Sequence, residues 1–584
     1  MIVFRHARQR VPLSVLNAAV SDALPGGIAQ DSLNADSALR LLLAASTLEC
    51  SLSDAWGAEE DSLGPAQQAA LNLSLAAAAC YLGVRPAQPP STALAALRRW
   101  LPPAATILTA SRPEGFRYYA LSPSAYIEPA RQLSAGGPEG PVLVIGLRTI
   151  GSSLAPVVAA VLRSTGRDCA LLTLRPRGRP EDRAYRADAQ LRRRVRQWPG
   201  PVAVVDEGPG LSGSSFGGAV AWLQAQGIPP RRIVLLPSWN PPARRLSHTV
   251  VAQLWDGWRK LPASPVRPDP AWGRELSGGR WRTWLTQFRG VPVWPQEERV
   301  KFLSRDGRWL FKYSGLGAAN EEAAERSRRL ARHGFSLAGI SEGEGWLRFP
   351  WLSIRSLEPG AYSPARWARW AGRYLAYLRS AFAVGGAQPP SPELQEMTIV
   401  NVAVLADAPP PPLPPAAPPV RVDGRVLWQE WGIGPRGHFV KFDALDHGDD
   451  HFFPGPADIA WDLAGLECEF GPAVGRAAQA AYQRASADRD LAARLPWHRV
   501  AYAAFRAAYA DFAQELVGPP DAAGFRRQRR HYVCALHRAL ATAGGPPCPS
   551  RNGGARGAAA PAAGPADRGD RAPAQSLAMR RVLA

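Results

Sequence analysis

The most constraining stretch of this 584-residue chain is Pro201–Gln226, PVAVVDEGPGLSGSSFGGAVAWLQAQ. Val202–Val205 is apolar and mostly β-branched, which is the pattern of a strand buried on both faces of a parallel sheet. Two acids, Asp206 and Glu207, follow at its end, then a loop of Gly, Pro and Ser, and Gly217–Gln226 reads as a helix. The N–H groups of such a loop and helix start can hold a phosphate dianion. The acids can accept hydrogen bonds from the vicinal hydroxyls of a ribose.

This stretch resembles the phosphoribosyl-diphosphate (PRPP) signature of type I phosphoribosyltransferases, in which two acids follow an apolar strand and a Thr/Gly-rich loop wraps the 5'-phosphate. The resemblance implies that Asp206 and Glu207 take the ribose hydroxyls and that Leu211, Ser212, Gly213, Ser214 and Ser215 form the phosphate loop. Two departures stand out. Gly208-Pro209-Gly210 lengthens the link between acids and loop, and the loop is rich in Ser rather than Thr.

The surroundings read as α/β. Strands are expected at Pro141–Gly146, Ala170–Leu174, Val202–Val205 and Arg232–Pro237, alternating with helices, which predicts a doubly wound parallel sheet with ligands at the C-terminal strand ends. The turn after the first strand, Arg148-Thr149-Ile150-Gly151-Ser152-Ser153, matches the family's pyrophosphate loop in order and setting. By that resemblance Arg148 offers a charged fork to the pyrophosphate, and Thr149, Gly151 and Ser152 line it. Leu174–Arg183 is too polar and Pro-rich for an element interior. It falls where the family has a mobile basic loop that closes over the diphosphate and excludes water, with Arg177 and Arg179 as the closing charges. Mg²⁺ is the implied cofactor, and PRPP with an unidentified acceptor are the implied ligands.

A second region begins near Val291. Arg299–Leu303 and Trp309–Tyr313 read as a hairpin, followed by a helix over Ala318–Arg332 that carries Glu321, Glu322 and Glu325. This resembles the N-lobe of kinase-like phosphotransferases of the aminoglycoside and choline kinase type. Lys312 would hold nucleotide phosphates and Glu325 would orient it. Glu396 stands five residues before Asn401, the spacing of a kinase catalytic acid and its metal-binding Asn, although the acid is Glu and no His-Gly-Asp precedes it. Asp443–His451 followed by Phe452–Ala464 resembles the metal-binding Asp and the helix start that follows it in aminoglycoside kinases. Asp443, Asp446 and Asp450 are the alternative metal ligands, and Asp462 would tie the catalytic loop. ATP is the implied ligand of this region.

The formal net charge of +20 would suggest a nucleic-acid partner. However, only four of the 69 basic residues are Lys, and the Arg residues are dispersed rather than striped, which argues against it. Six cysteines without a CxxC pair point to reduced thiols and a cytoplasmic setting. No apolar run reaches membrane-spanning length, and Met1–Leu16 does not read as a signal peptide.

The expected organisation is multidomain α/β and α+β. It comprises a helical N-terminal segment (1–105), a doubly wound phosphoribosyltransferase-like domain (106–250) and a Trp/Pro-rich connector (251–290). A kinase-like two-lobed domain (291–543, with a Pro-rich insert at 408–419) and a disordered tail (544–584) complete it. The leading functional expectation is phosphoribosyl transfer with release of pyrophosphate. The alternatives are a PRPP or nucleotide sensor without turnover, and an ATP-dependent small-molecule phosphotransferase.

Overall fold

The computed structural model describes residues 1, 8–24, 33–111, 113–264, 272–352, 355–357, 362–435, 437–445, 447–450, 452–453 and 455–543. Asp446, His451 and the expected disordered tail lie outside the described residues.

The chain opens with β1 (Arg8–Pro12) and helices α1 (Leu13–Ala23), α2 (Ala35–Trp56), α3 (Pro65–Tyr81) and α4 (Pro90–Arg98). Next come β2 (Ile107–Ser111), α5 (Glu114–Tyr118) and α6 (Ile127–Gly136). The α/β run follows: β3 (Val142–Leu147), α7 (Gly151–Ser164), β4 (Cys169–Leu174), β5 (Arg177–Arg179), β6 (Asp182–Ala184), α8 (Ala189–Arg196) and β7 (Val202–Val205). It ends with α9 (Ser214–Ala225), β8 (Ile233–Leu236), α10 (Thr249–Trp255) and β9 (Arg259–Lys260).

The expected parallel sheet is present, in the order β4-β3-β7-β8-β9, with every pairing parallel. Its strands are buried on both faces, and the alternation of side chains sorts them into two layers. Val142, Val144, Ala203 and Val205 point into the layer built from α1–α4, α6 and α7. Leu143, Ile145, Val202 and Val204 point into the layer built from α8, α9 and α10.

The N-terminal helices are therefore part of this unit, and they carry charge into it. Arg148 is 5% exposed and pairs with Asp61 and with Asp54 (3.1 Å). Arg175 pairs with Asp54, and its backbone N–H donates to Asp61 (2.8 Å). Arg177 donates to the carbonyls of Gly57 and Ala58. The expectation of a mobile closing loop is corrected accordingly. Arg177–Arg179 and Asp182–Ala184 form a two-stranded hairpin turned at Pro180-Glu181, and Arg177 anchors it to the end of α2.

The Trp-rich connector is divided between two sheets. β9 belongs to the first, while β10 (Trp272–Glu275) is an edge strand of the second. The second sheet is antiparallel, β10-β11-β12-β14-β13, with β11 (Lys301–Ser304), β12 (Trp309–Tyr313), β13 (Ile340–Gly343) and β14 (Trp346–Pro350). β11 and β12 form the expected hairpin, and α11 (Ala318–Arg332) follows. Beyond them lie β15 (Arg355–Ser356), α12 (Pro364–Ala381), α13 (Pro392–Ala406), β16 (Trp431–Ile433) and β17 (Phe439–Lys441). The chain then finishes in α14 (Ala460–Phe470), α15 (Pro472–Ser486), α16 (Leu491–Leu516) and α17 (Asp521–Thr542). The core of this half is aromatic, with Trp367, Trp431, Trp461, Tyr374 and Tyr502 fully buried. The two halves meet through α5, where the Phe116 carbonyl accepts from Leu316 N–H (2.8 Å) and from the Tyr313 hydroxyl (2.5 Å). No helix among the described residues is long and apolar enough to cross a membrane.

Removing one member of a buried ion pair strands the other, at a cost of about 3–5 kcal/mol. Asp61→Ala should therefore destabilise the first unit by about that amount in urea denaturation. Arg40→Ala, which breaks the exposed Arg40–Glu321 pair (43% and 54% exposed), should stay below about 1 kcal/mol.

Candidate functional site

Two clusters of chemistry-bearing side chains stand out. The first is at the C-terminal edge of the parallel sheet. β7 delivers Asp206 and Glu207 there. The Asp206 carbonyl is held by the Tyr126 hydroxyl (2.7 Å), and the Glu207 carbonyl by Ser238 N–H (3.0 Å). The Glu207 carboxylate accepts from Gly115 N–H (3.2 Å), and a Cβ at position 115 would lie 2.6 Å from it, so no side chain fits there. The turn from β3 into α7 presses against the same strand end: a Cβ on Gly151 would come within 2.8 Å of the Val205 carbonyl oxygen.

The loop Leu211–Ser215 leads into α9 through Gly213, which is left-handed (φ 69°). Leu211 is exposed, but the hydroxyls of Ser212 and Ser214 both donate to the Pro180 carbonyl at the hairpin tip, at 2.9 and 2.6 Å. The hairpin thus lies directly over the loop, and Arg179, beside that tip, is exposed. Thr149 accepts from Arg175 (3.2 Å), and the Ser152 hydroxyl is buried.

The structure therefore brings Asp206, Glu207, Thr149, Gly151 and the loop together. It does not place Arg148 as a fork for a ligand, because Asp54, Asp61 and Thr173 engage that guanidinium below the surface. Arg177 is likewise spent on the N-terminal segment. Arg175, which the sequence reading passed over, is the basic group whose field reaches Asp206. The available signal was its position at the end of β4, equivalent to that of Arg148 at the end of β3.

Burial raises Asp206 to about 7, against hydrogen bonds from the Glu207 and Gly208 backbone and the charge of Arg175. Burial and the neighbouring Asp206 and Glu114 charges raise Glu207 to about 8.

The second cluster is the cleft under the β11–β12 hairpin, a cavity of about 180 Å³. Its walls include Trp281, Leu285, Phe288 and Phe525, and its polar end gathers Lys301, Lys312, Arg425, Glu430 and Asp443. Lys312 projects from the middle strand and pairs with Asp443 at 2.6 Å. The expected helix partner is corrected: Glu325 is exposed and pairs with Arg328, Glu322 with Arg421 and Glu321 with Arg40. Burial alone would raise Asp443, but Lys312, His447 and Lys441 hold it well below the usual carboxylate range.

Glu396 and Asn401 do not form a catalytic loop. Both lie on α13, Glu396 exposed and Asn401 fully buried. Five residues on a helix span roughly 140° beyond one full turn, which sends the two side chains to different faces. Asp450 accepts from Phe452 and Phe453 N–H (2.9 and 2.7 Å) and caps its own turn. Of the alternative metal ligands, Asp443 stands at the cleft and Asp450 is engaged by its own turn, while Asp446 lies outside the described residues.

The loop that Asp462 ties is Val422–Gly424. Its carboxylate accepts from Asp423 N–H (2.7 Å) and Gly424 N–H (2.9 Å), and Trp461 donates to the Gly424 carbonyl (3.0 Å). Asp462 is legible in the sequence from the helix start around it, whereas Asp423, shortly after the Pro-rich insert, sits in no such local pattern. Asp423, Glu430 and His447 converge, with one possible ligand atom from each lying within 4.8 Å of the others. Lys441 sits among them, 2.6 Å from Glu430 and 3.2 Å from Asp423, and is fully buried.

No protein-family model matches the chain, and no curated protein matches it. Solved structures similar to it include choline kinase LicA from Streptococcus pneumoniae, with 11% identity over 44% of this chain and 96% of that one and a TM-score of 0.28. A choline/ethanolamine kinase family protein from Mesorhizobium loti shares 18% identity over 42% of this chain and 89% of that one, with a TM-score of 0.29. The macrolide 2'-phosphotransferase MphH from Brachybacterium faecium shares 15% over 44% and 98%, with a TM-score of 0.25. Likeness at this level assigns neither substrate nor activity to this chain.

The acid pair gives a pH prediction with a definite sign. Unfolded, the two carboxyls titrate near 3.8 and 4.5; folded, they titrate at about 7 and about 8. The folded state therefore holds protons that the unfolded state has released. This contribution to stability is complete below about pH 4 and is lost as pH rises through about 8. Asp206→Asn/Glu207→Gln should flatten that part of the profile, so that its stability relative to wild type is higher at pH 9 than at pH 5, as read by urea denaturation at the two pH values.

Proposed function

We propose that the C-terminal unit, from β10 to α17, binds a nucleoside triphosphate such as ATP, with its phosphates against Lys312 and Lys301. The observation that carries this reading is the cleft itself. Aromatic and aliphatic walls suit a base, and two ammonium groups stand at the polar end beside Asp443. The cavity of about 180 Å³ is smaller than the ~300 Å³ at which ligand pockets usually begin. It accommodates a ring and the adjoining phosphates, and the rest of the ligand lies over its mouth. The reaction such binding would serve is transfer of a phosphoryl group to a small-molecule acceptor. The acids left partly open to an acceptor are Asp443 and Glu298, with 23% and 17% side-chain exposure, whereas Asp423 has none.

A charge-assisted hydrogen bond contributes about 1.5–3 kcal/mol, so Lys312→Gln should weaken ATP about 10- to 100-fold in calorimetry on the full chain. Unchanged affinity in the variant would remove Lys312 from the site, and absence of ATP and GTP binding to wild type would end the reading.

A second reading is supported by the acid pair and loop at the sheet edge: that the first unit binds PRPP, either as a phosphoribosyltransferase or as a sensor without turnover. The carboxylates of Asp206 and Glu207 are oxygen donors of the kind Mg²⁺ takes, so Mg²⁺ belongs with this reading. Calorimetry with PRPP and Mg²⁺ should show binding to wild type and none to Asp206→Asn/Glu207→Gln. Equal binding by both proteins, or by neither, defeats it. Release of pyrophosphate with any acceptor base would decide for transfer over sensing.

A further inference from the structure

Asp423, Glu430 and His447 converge as the ligands of a divalent cation would, but the side chains around them do not fit one. Four of the six converging ligand atoms already accept a hydrogen bond from the chain, and Asp423 Oδ1, which accepts none, faces the Lys441 ammonium. The Glu430 Oε2 accepts from Lys441 (2.6 Å) and its Oε1 from Arg425 (3.1 Å). The Asp423 Oδ2 accepts from the Tyr374 hydroxyl (2.7 Å), and its Oδ1 lies 3.2 Å from the Lys441 ammonium. The His447 Nε2 is bonded to Arg425. The remaining atom, His447 Nδ1, lies 3.5 Å from Glu430 Oε1 and has no hydrogen-bond partner.

Two carboxylates and an imidazole would make an ordinary set of oxygen and nitrogen ligands if they were free. Here a dication would have to enter beside an ammonium that has no route to solvent. Lys441 is fully buried, packed over the Trp431 ring (4.9 Å), and its backbone N–H donates to the Phe335 carbonyl (2.9 Å). The neighbouring acids and the buried lysine depend on each other, since either alone would be an uncompensated buried charge. Lys441 is also one of only four lysines in a chain whose basic residues are otherwise all Arg. A compact ammonium fits between two carboxylates at one point, which the wide fork of a guanidinium does not.

We propose that Lys441 is a built-in replacement for a divalent cation, so that the cleft binds its nucleotide without a metal at Asp423, Glu430 and His447. The nucleotide part rests on the reading given above, whereas the metal part stands on the cluster alone. The two are tested separately on the full chain.

In the first arm, Mn²⁺ alone is titrated calorimetrically into wild type and into Asp423→Asn. The expected result is no Mn²⁺ site in wild type that the variant lacks, and a one-equivalent site removed by Asp423→Asn would overturn the proposal. In the second arm, Lys441→Met, which keeps the length and removes the charge, should gain one equivalent of Mn²⁺, and Lys441→Met/Asp423→Asn should lose it again. A Lys441→Met protein that melts cooperatively and gains nothing overturns the proposal. Should that variant fail to fold, the wild-type titration decides by itself.

The third arm compares ATP affinity in Mg²⁺ with that in EDTA. Agreement within about twofold supports the proposal, and a loss of tenfold or more in EDTA overturns it. If ATP binds under neither condition, the nucleotide reading falls and the Mn²⁺ titrations still decide the cation question.

Discussion

The C-terminal unit depends on the ion pairing of Lys441 with Asp423 and Glu430. Taking three charged groups out of water costs several kcal/mol for each, and only close mutual contact with every lone pair occupied offsets it. That requirement fixes the geometry around it. Asp423 must be presented by a loop whose backbone N–H groups are themselves satisfied, which Asp462 does from α14. Gly424 and Gly448 must lack side chains, because a Cβ on either would come within 2.3 Å of a carbonyl on the opposing segment. The 422–424 and 447–448 segments are thereby pressed together, and β17 carries Lys441 beneath them. Asp443, two residues further on, is left at the cleft with Lys312 as its partner.

The first unit obeys the same rule with the signs reversed. Arg148, Arg175 and Arg177 lie at or just beyond the ends of β3 and β4, where a ligand would be approached, yet the N-terminal segment supplies their counter-charges. Thr173, also at that edge, donates to Glu49 of α2 (2.7 Å). A helical segment that reads as inert packing is thus what neutralises the basic edge of the sheet. Among the described residues, no ion pair engages Asp206 or Glu207. Their protonation equilibria are displaced upward by burial, as befits groups that keep their hydrogen-bonding capacity for something outside the chain.

What could be read from the sequence follows the range of the interactions involved. Strand periodicity and turn residues act over a few positions, so the parallel sheet, the β11–β12 hairpin and the strand-loop-helix at Val202–Ala225 were legible. Asp462 was legible too, because its helix start is a local pattern. The failures are of two kinds. Glu396 and Asn401 matched a spacing, but the segment Pro392–Ala406 is capped by Ser391 and is helical, so the spacing had no loop in which to act. Arg148 and Arg177 were assigned by residue type. Their orientation is set by acids 87 and 116 positions away in the chain, a pairing no local pattern announces.

The short helix α5 shows how two units with separate cores come to act as one body. Gly115 gives its N–H to Glu207 of the first candidate site. The next residue, Phe116, gives its carbonyl to Tyr313 and Leu316, on either side of the turn that leaves the strand carrying Lys312. Tyr313 is 1% exposed, and its hydroxyl is otherwise bonded only weakly, to the Leu121 carbonyl at 3.3 Å. Pulling the units apart would exchange these bonds for bonds to water, so each contributes a net of about 0.5–1.5 kcal/mol to the association. A single backbone step, from residue 115 to residue 116, thus separates the carboxylate of one site from the strand of the other. Hydrogen bonds from Tyr81 and Ser122 to Glu344, from Arg299 to the Arg117 carbonyl and between Arg40 and Glu321 add to this anchoring, so the register between the two sheets is held at several points around α5.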